Sequence, residues 1–210
     1  MPLRSTILGA ASGVVLLAGV FGFAVGLPKV VSDDSDAHAD TDGSQGAADD
    51  RPAADLLPDT ILNGALQRYE QIDQKYAKVA GEVEGYSGDK LTEVFGTGAA
   101  VGLYATPNLE VRVEVTIYDG ESGLFLQTGP PVPPEMNPTA QTISDLVRER
   151  DTPCIAQWQV RAYQEKAPPF QVQCQRVYSG RTINVYAAPG LTVEQTVDIV
   201  EDIAKQAGLD

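Results

Sequence analysis

The stretch from Ser5 to Pro28 has no charged side chain, and an acidic segment follows it almost at once. Residues 7–27 form a run of 21 uncharged residues. As a helix this run would measure roughly 31 Å, about the thickness of the hydrocarbon core of a bilayer. A buried helix of a soluble protein rarely lacks a polar face altogether. The sequence therefore predicts a single membrane-spanning helix at residues 7–27, within an anchor region of residues 1–31.

The charges on either side of this run indicate its orientation. Arg4 and the amino terminus precede it, whereas beyond Lys29 the next cation is Arg51, and aspartates accumulate between them. By the positive-inside rule, the N-terminus is cytoplasmic and the remainder of the chain is extracytoplasmic at the cell membrane. The alternative is a cleaved signal peptide, for which residues 24–26 offer small side chains at a suitable spacing. Both interpretations place the rest of the chain outside the cytoplasm.

The predicted anchor is rich in small residues. Gly22 and Gly26 lie four positions apart, so in a helix they share one face, and such spacing lets two backbones approach closely. They are candidates for a helix-pairing surface. The alternative is that glycine is simply common in a chain with 20 glycines among 210 residues.

Residues 32–55 contain no large apolar side chain, and they carry eight aspartates and one arginine. Such a segment cannot bury enough surface to offset the entropy of ordering its backbone. We therefore expect a disordered acidic linker at 32–55. The spacing of His38 and the aspartates that follow it resembles a calcium-binding loop. The glutamate that binds the ion through both oxygens at the end of such a loop is missing. No metal site is predicted there.

Residues 56–210 are long enough for one domain with its own core. Apolar residues recur at helical spacing over 57–80, after 137, and over 193–207, where Thr192 and Gln195 form a capping box. Alternating or short apolar runs predict strands; they are 91–95, 99–104, 109–118, 124–127, 154–164, 170–179 and 181–187. The sequence predicts an α+β domain, with a mainly antiparallel sheet and about three packing helices on one of its faces.

Cys154 and Cys174 are the two cysteines of the chain. In an extracytoplasmic domain an even count favours a disulfide. Both residues lie on the apolar side of their predicted strands, so both thiols can point into the core. If residues 166–169 formed a simple hairpin turn, however, Cys174 would face Val160 and not Cys154. The bridge then requires a different register.

Few enzymatic functions fit the composition. His38 is the only histidine, so histidine-based triads and zinc sites are not expected in residues 56–210. Phosphate-loop, dinucleotide-binding and nucleophile-elbow motifs are missing as well. The domain carries 12 basic and 21 acidic residues, a net charge of about −9, which disfavours nucleic acid as a partner. We expect no catalytic residue and no cofactor, although two carboxylates brought together by the fold stay possible.

One surface of the predicted sheet is unusually rich in glutamine. The outward positions of two late strands, with Arg161 and Tyr163 nearby, are Gln157, Gln159, Gln171, Gln173 and Gln175. Such a neutral, hydrogen-bonding surface suits a glycan, a peptide or a partner strand. The alternative is an ordinary solvated sheet face.

The last third of the chain resembles single-pass envelope proteins of high-GC actinobacteria whose activity is not established. Cys154, Cys174 and the segment from Arg181 to Ala207 carry the resemblance. It implies a bacterial origin and a sheet-plus-helix domain outside the membrane, and it transfers no activity and no site.

Three functions are therefore open. The first is a non-enzymatic module that is anchored in the membrane and binds an envelope protein or glycan, with a monomeric domain. The second is a subunit of a membrane complex assembled through Gly22 and Gly26. The third is a cell-wall hydrolase that uses paired carboxylates.

Overall fold

A computed structural model describes residues 50–121, 124, 131–137 and 139–210. The described residues belong to one compact unit. The predicted anchor at 7–27, Gly22 and Gly26, the linker residues 32–49 and most of the predicted strand 124–127 lie outside them. Among the described helices, none is long and apolar enough to cross a membrane.

Eight strands form one sheet in which every described neighbouring pair is antiparallel. The strands are β1 (Thr60–Ile61), β2 (Leu66–Arg68), β3 (Ala99–Ala105), β4 (Arg112–Asp119), β5 (Thr142–Glu149), β6 (Thr152–Gln159), β7 (Gln171–Tyr178) and β8 (Arg181–Ala188). Their order across the sheet is β1-β2-β3-β4-β8-β7-β6-β5. The α+β class predicted from the sequence is confirmed.

Four α-helices are described, where the sequence predicted about three. They are α1 (Tyr69–Ile72), α2 (Gln74–Phe95), α3 (Val160–Gln164) and α4 (Val193–Ala207). The C-terminal helix α4 agrees with its prediction: Thr192 and Gln195 form the capping box, and Gly208 ends the helix in a left-handed conformation. Its apolar side packs on one face of the sheet, where Val197, Val200 and Ile203 are fully buried with the inward side chains of β4, β7 and β8. This layer is the core of the domain.

The N-terminal part of the domain corrects two predictions. Residues 57–68 are not helical, because Leu62, Asn63 and Gly64 adopt positive φ angles and turn the chain between β1 and β2. The predicted strand 91–95 is instead the last turn of α2. Helix α2 starts where the Asp73 side chain accepts a hydrogen bond from the N–H of Lys75, and it runs for 22 residues.

Helix α2 does not lie on the same face as α4. It packs against the edge of β3, where β2 is too short to pair with the whole strand. The Glu84 carboxylate accepts a hydrogen bond from the Leu103 N–H at 2.7 Å, and the Thr92 hydroxyl accepts one from the Ala99 N–H at 3.2 Å. The helix and the strand are close at Gly88, where a Cβ atom would lie at van der Waals contact, 3.4 Å from the Ala99 carbonyl oxygen. The helix thereby covers an otherwise open strand edge.

Three further predictions differ from the structure. The helix expected after Asn137 is the strand β5, in which Ile143 is buried and Leu146 is largely exposed, as the alternation of a strand requires. The strand expected at 154–164 ends at Gln159 and continues as α3. The expected pairing of 124–127 is not found at Leu124, the one residue of that segment described.

The ordered fold also begins earlier than residue 56. Arg51 donates a hydrogen bond to the Ala207 carbonyl at the end of α4, and its own carbonyl accepts one from Arg181. Ala53 and Leu56 are buried in the adjoining 3-10 turn. The prediction that the linker extends to residue 55 is therefore wrong for residues 51–55, because these residues have partners far away in the sequence.

The predicted disulfide is confirmed. Cys154 and Cys174 are directly opposite each other on β6 and β7 and form a bridge in the core. Residues 160–170 are not a simple hairpin turn, since α3 and a loop connect the two strands. This longer connection sets the register that the bridge requires.

Candidate functional site

The face of the sheet turned away from α4 carries polar side chains on its central strands. Paired residues of neighbouring strands share a face, and successive residues alternate between faces. Val113, Val115 and Ile117 belong to the core beneath α4, so Glu114 points the other way. We call the solvent-accessible part of this second side the open face; it includes Leu103, Arg112, Glu114, Ser144, Leu146, Arg148, Gln157, Gln171, Gln173, Asn184 and Tyr186.

One row of paired residues crosses the middle of the open face. Glu114 lies opposite Leu103 on one side and Tyr186 on the other, and Tyr186 in turn lies opposite Gln173. The Gln173 amide donates a hydrogen bond to the Asn184 side-chain oxygen at 2.8 Å, which fixes the orientation of both amides. The row therefore places an apolar side chain, a carboxylate, a phenol ring and an amide side by side.

Burial affects the ionisation of Glu114 and Tyr186, and the charge of Glu114 also acts on Tyr186. Although the Glu114 side chain as a whole is exposed, its carboxyl group is partly desolvated by the neighbouring strands, and this raises the pKa of Glu114. Burial also raises the pKa of Tyr186, and the negative charge of Glu114 adds to that rise. Each group thus favours its neutral form more than it would in water. The centre of the open face is weakly acidic and otherwise uncharged.

All five glutamines singled out in the sequence point to this side of the sheet. Gln157 pairs with Gln171, and Gln173 follows two residues later on β7. Gln175 points to the same side but is almost fully buried. Gln159 is exposed at the end of β6.

Arg161 and Tyr163 do not lie on the open face. They belong to α3, and the Tyr163 ring packs edge-on against Trp158, 5.4 Å between ring centres. Trp158 points to the opposite side from Gln157, as neighbouring residues of a strand do. The two residues were placed near the glutamines because the sequence predicted β6 to continue to residue 164.

A cavity of about 690 Å³ lies where β4 leaves the sheet. Its lining includes Leu124, Gln175, Arg176 and two carboxylates, Glu121 and Asp151. The Asp151 side chain is 82% exposed and lies 3.8 Å from Arg176. A catalytic acid needs shielding from water to hold its proton at neutral pH, and Asp151 has none. This cavity is therefore a weak candidate for glycoside hydrolysis.

A second polar cluster has a structural explanation. Arg68 donates a hydrogen bond to Glu84 at 2.8 Å, and its guanidinium lies 5.4 Å from the centre of the Tyr104 ring. Glu84 also accepts the Leu103 N–H, and the Tyr104 hydroxyl donates to the Pro58 carbonyl at 2.7 Å. These contacts attach α2 to the sheet.

Within the described ranges, no group of three or more histidine, cysteine or acidic side chains is arranged to hold a metal ion. Both cysteines are used in the disulfide, so neither is a free thiol. Comparisons with models of protein families, with curated proteins and with solved structures found no match to this chain.

Proposed function

We propose that this chain is a membrane-anchored, non-enzymatic binding module of the bacterial cell envelope, and that it holds a neutral glycan on its open face. The observation that carries this proposal is the central row from Leu103 through Glu114 and Tyr186 to Gln173. The anchor at residues 7–27 supplies the location, as the sequence predicts.

The chemistry of the open face suits a hydroxyl-rich ligand. Amide side chains both donate and accept hydrogen bonds, so Gln171, Gln173 and Asn184 match sugar hydroxyls, which do the same. The Tyr186 ring adds an apolar surface with a polar tip, a combination that recurs at binding interfaces. Because the surface is nearly neutral, it discriminates against strongly charged polymers such as nucleic acids.

A partner strand fits the domain less well than a glycan. Among the described strands, the two edges of the sheet are β1, which has only two residues, and β5, which carries Asp145, Arg148 and Glu149. Charged residues on edge strands oppose the addition of a further strand.

A hydrolase fits less well too. Glu114 is the single carboxylate among the strand residues of the open face, and the two-carboxylate mechanism needs a second one across a cleft. The nearby Glu84 is held by Arg68 and by the Leu103 N–H.

The experiment is a binding screen of the soluble domain, residues 50–210, against an array of bacterial envelope oligosaccharides. Calorimetry then measures the affinity for each oligosaccharide that binds. Tyr186→Ala and Gln173→Ala are expected to weaken binding by roughly tenfold or more, because each removes one side chain from the central row.

Gln164→Ala is the matched control, since Gln164 is an exposed glutamine on α3, away from the row. It should bind as the unmodified domain does. If no neutral oligosaccharide binds, or if all three variants bind equally well, the open face is not the glycan site.

A further inference from the structure

Helix α2 has an apolar stripe on its outer side. Val79, Val83, Tyr86 and Val94 are between 43 and 71% exposed. They follow one another at spacings of four, three and eight residues, so they share one face of the helix, and Lys90 falls on the same line. A row of large exposed apolar residues indicates a surface that binds a partner.

The inner side of α2 is already occupied by the sheet. Ala80 and Gly88 are buried there, and Glu84 is bound to β3. The stripe points elsewhere, so attachment to β3 does not account for it.

Charged residues run along one flank of the stripe and are separated by sign. Lys75 and Lys78 lie near the start of α2, whereas Asp89 and Glu93 lie near its end. At 100° per residue, all four fall within about 60° of each other around the helix axis. Their side chains are exposed. The contacts that Lys75, Lys78 and Glu93 make within the chain are surface ion pairs, which contribute little, and Lys75 also lies 4.5 Å from the centre of the Tyr76 ring.

We propose that the outer face of α2 pairs with α2 of a second copy of this chain, with the two helices antiparallel. In this arrangement Lys75 of each copy lies opposite Glu93 of the other, and Lys78 lies near Asp89. The same register, centred near residue 84, sets Val83 against Tyr86 of the partner. Each contact occurs twice because the interface is symmetric. In a parallel symmetric pair these flanks would instead lie on opposite sides of the interface, so the four charges could not pair with each other.

The same charges argue against two other occupants. An anionic lipid surface attracts helices with a marked excess of cations, whereas the exposed charges of α2 are three lysines and three acids, Lys75, Lys78, Lys90, Glu82, Asp89 and Glu93. The apolar residues 7–27 contain no charge that could match the flank. A second copy of α2 matches the charged flank and, through Val83 and Tyr86, the centre of the stripe.

The first test is site-directed crosslinking of the full chain in native membranes with a short bismaleimide. The two native cysteines are joined in the disulfide, so only an introduced cysteine reacts. Tyr86→Cys should give a homodimer, because the two positions are offset by only about 6 Å along the helices. Lys75→Cys alone should not, because its two copies are about 27 Å apart, whereas Lys75→Cys mixed with Glu93→Cys should.

The second test reverses the charges of the flank in chains that also carry Tyr86→Cys, so that the crosslink reports the homodimer. Lys75→Glu with Lys78→Glu, or Asp89→Lys with Glu93→Lys, should lower the crosslinked fraction by roughly tenfold, since attractive pairs become repulsive ones. All four substitutions in one chain should restore it. Arg161→Glu with Lys166→Glu is the control of equal charge change away from α2, and it should have no effect. Circular dichroism verifies that each variant is folded.

Both tests are repeated with Gly22→Ile and Gly26→Ile, so that pairing of the predicted anchor cannot supply the dimer. Crosslinking at Lys75→Cys alone would overturn the antiparallel arrangement. A chain that forms no homodimer through Tyr86→Cys, or a quadruple variant that is not rescued, would overturn the proposal. The oligosaccharide binding of the open face is independent of both outcomes.

Discussion

The carboxylate of Glu84 accepts a hydrogen bond from the backbone N–H of Leu103 at 2.7 Å, so a helix side chain occupies the place of a strand carbonyl. Eight residues later, Thr92 does the same for the Ala99 N–H. Eight helical residues span about 12 Å and four strand residues about 13 Å. The spacing of Glu84 and Thr92 along the helix therefore matches the spacing of Leu103 and Ala99 along β3. This match explains how a long and largely exposed helix is held in place.

Glu84→Ala should lower the free energy of unfolding by about 1–3 kcal/mol, because it leaves the partly buried Arg68 and the Leu103 N–H without their acceptor. Urea unfolding of the soluble domain measures the change. Glu82→Ala is the matched control at an exposed position one half-turn away. Equal effects of the two substitutions would show that the edge contact contributes no stability.

Local signals predicted the last two strands and the C-terminal helix correctly. The capping box at Thr192 and Gln195 and the alternation in β7 and β8 depend on residues close in sequence, so the sequence alone places these elements. Helix α2 was misplaced because its stability depends on the edge of β3, and three glycines at 81, 85 and 88 resemble helix breakers. The β1–β2 turn was missed because the helical spacing of apolar residues over 57–80 outweighed the turn signal of Asn63 and Gly64, and because Leu62 takes a conformation that leucine rarely adopts.

The glutamines of the open face were recognised from the sequence, but its centre was not. Glu114 and Tyr186 are 72 positions apart and meet only because β8 pairs with β4. Strand order across a sheet is set by non-local packing, and alternation within single strands does not encode it. The outward position of Glu114 was visible in β4, and it was the one signal available for this residue.

Removing the disulfide should destabilise the domain strongly. Cys154 and Cys174 close a loop with a sequence separation of 20, and such a crosslink stabilises by roughly 3 kcal/mol in the chain-entropy model. Urea unfolding with and without reductant should therefore give well-separated midpoints. The Cys154→Ala/Cys174→Ala variant should unfold near the urea midpoint of the reduced domain, and adding reductant should not shift its midpoint. A reductant-sensitive double variant would contradict this explanation.

Two glycines should respond to alanine in opposite ways. A Cβ at Gly102 would lie 2.8 Å from Cε2 of Tyr104, whose ring is fully buried, so Gly102→Ala should cost about 1–3 kcal/mol through overpacking. A Cβ at Gly85 in α2 meets nothing within 4 Å, so Gly85→Ala should stabilise by up to about 1 kcal/mol. Thermal unfolding of both variants measures the contrast. A stabilising Gly102→Ala would mean that the Tyr104 ring can move aside.

The raised pKa of Glu114 makes stability depend on pH in a defined direction. Because the folded state binds this proton more tightly than the unfolded state, the free energy of unfolding falls as pH rises from the ordinary value of 4.5 up to the raised pKa. Glu114→Gln removes that loss, so it should stabilise the domain at pH 7 and change little near pH 4. Urea midpoints at the two pH values measure the effect. Glu110→Gln, at an exposed position just before β4, is the control; an equal gain from both substitutions would contradict the explanation.

The residues just after the acidic segment should contribute to stability as well. The Arg51 guanidinium donates to the Ala207 carbonyl at the C-terminus of α4, where a cation also interacts favourably with the helix dipole. Its carbonyl accepts a hydrogen bond from Arg181, whose guanidinium is nearly buried and lies 2.6 Å from Asp119.

A chain starting at residue 56 loses both contacts and the buried Ala53, so its free energy of unfolding should be about 1–3 kcal/mol lower than that of a chain starting at Asp50. Arg51→Ala in the longer chain should reproduce part of this loss, since it removes the guanidinium and keeps the carbonyl. Equal urea midpoints for the two chain lengths would mean that the fold does not need residues 50–55.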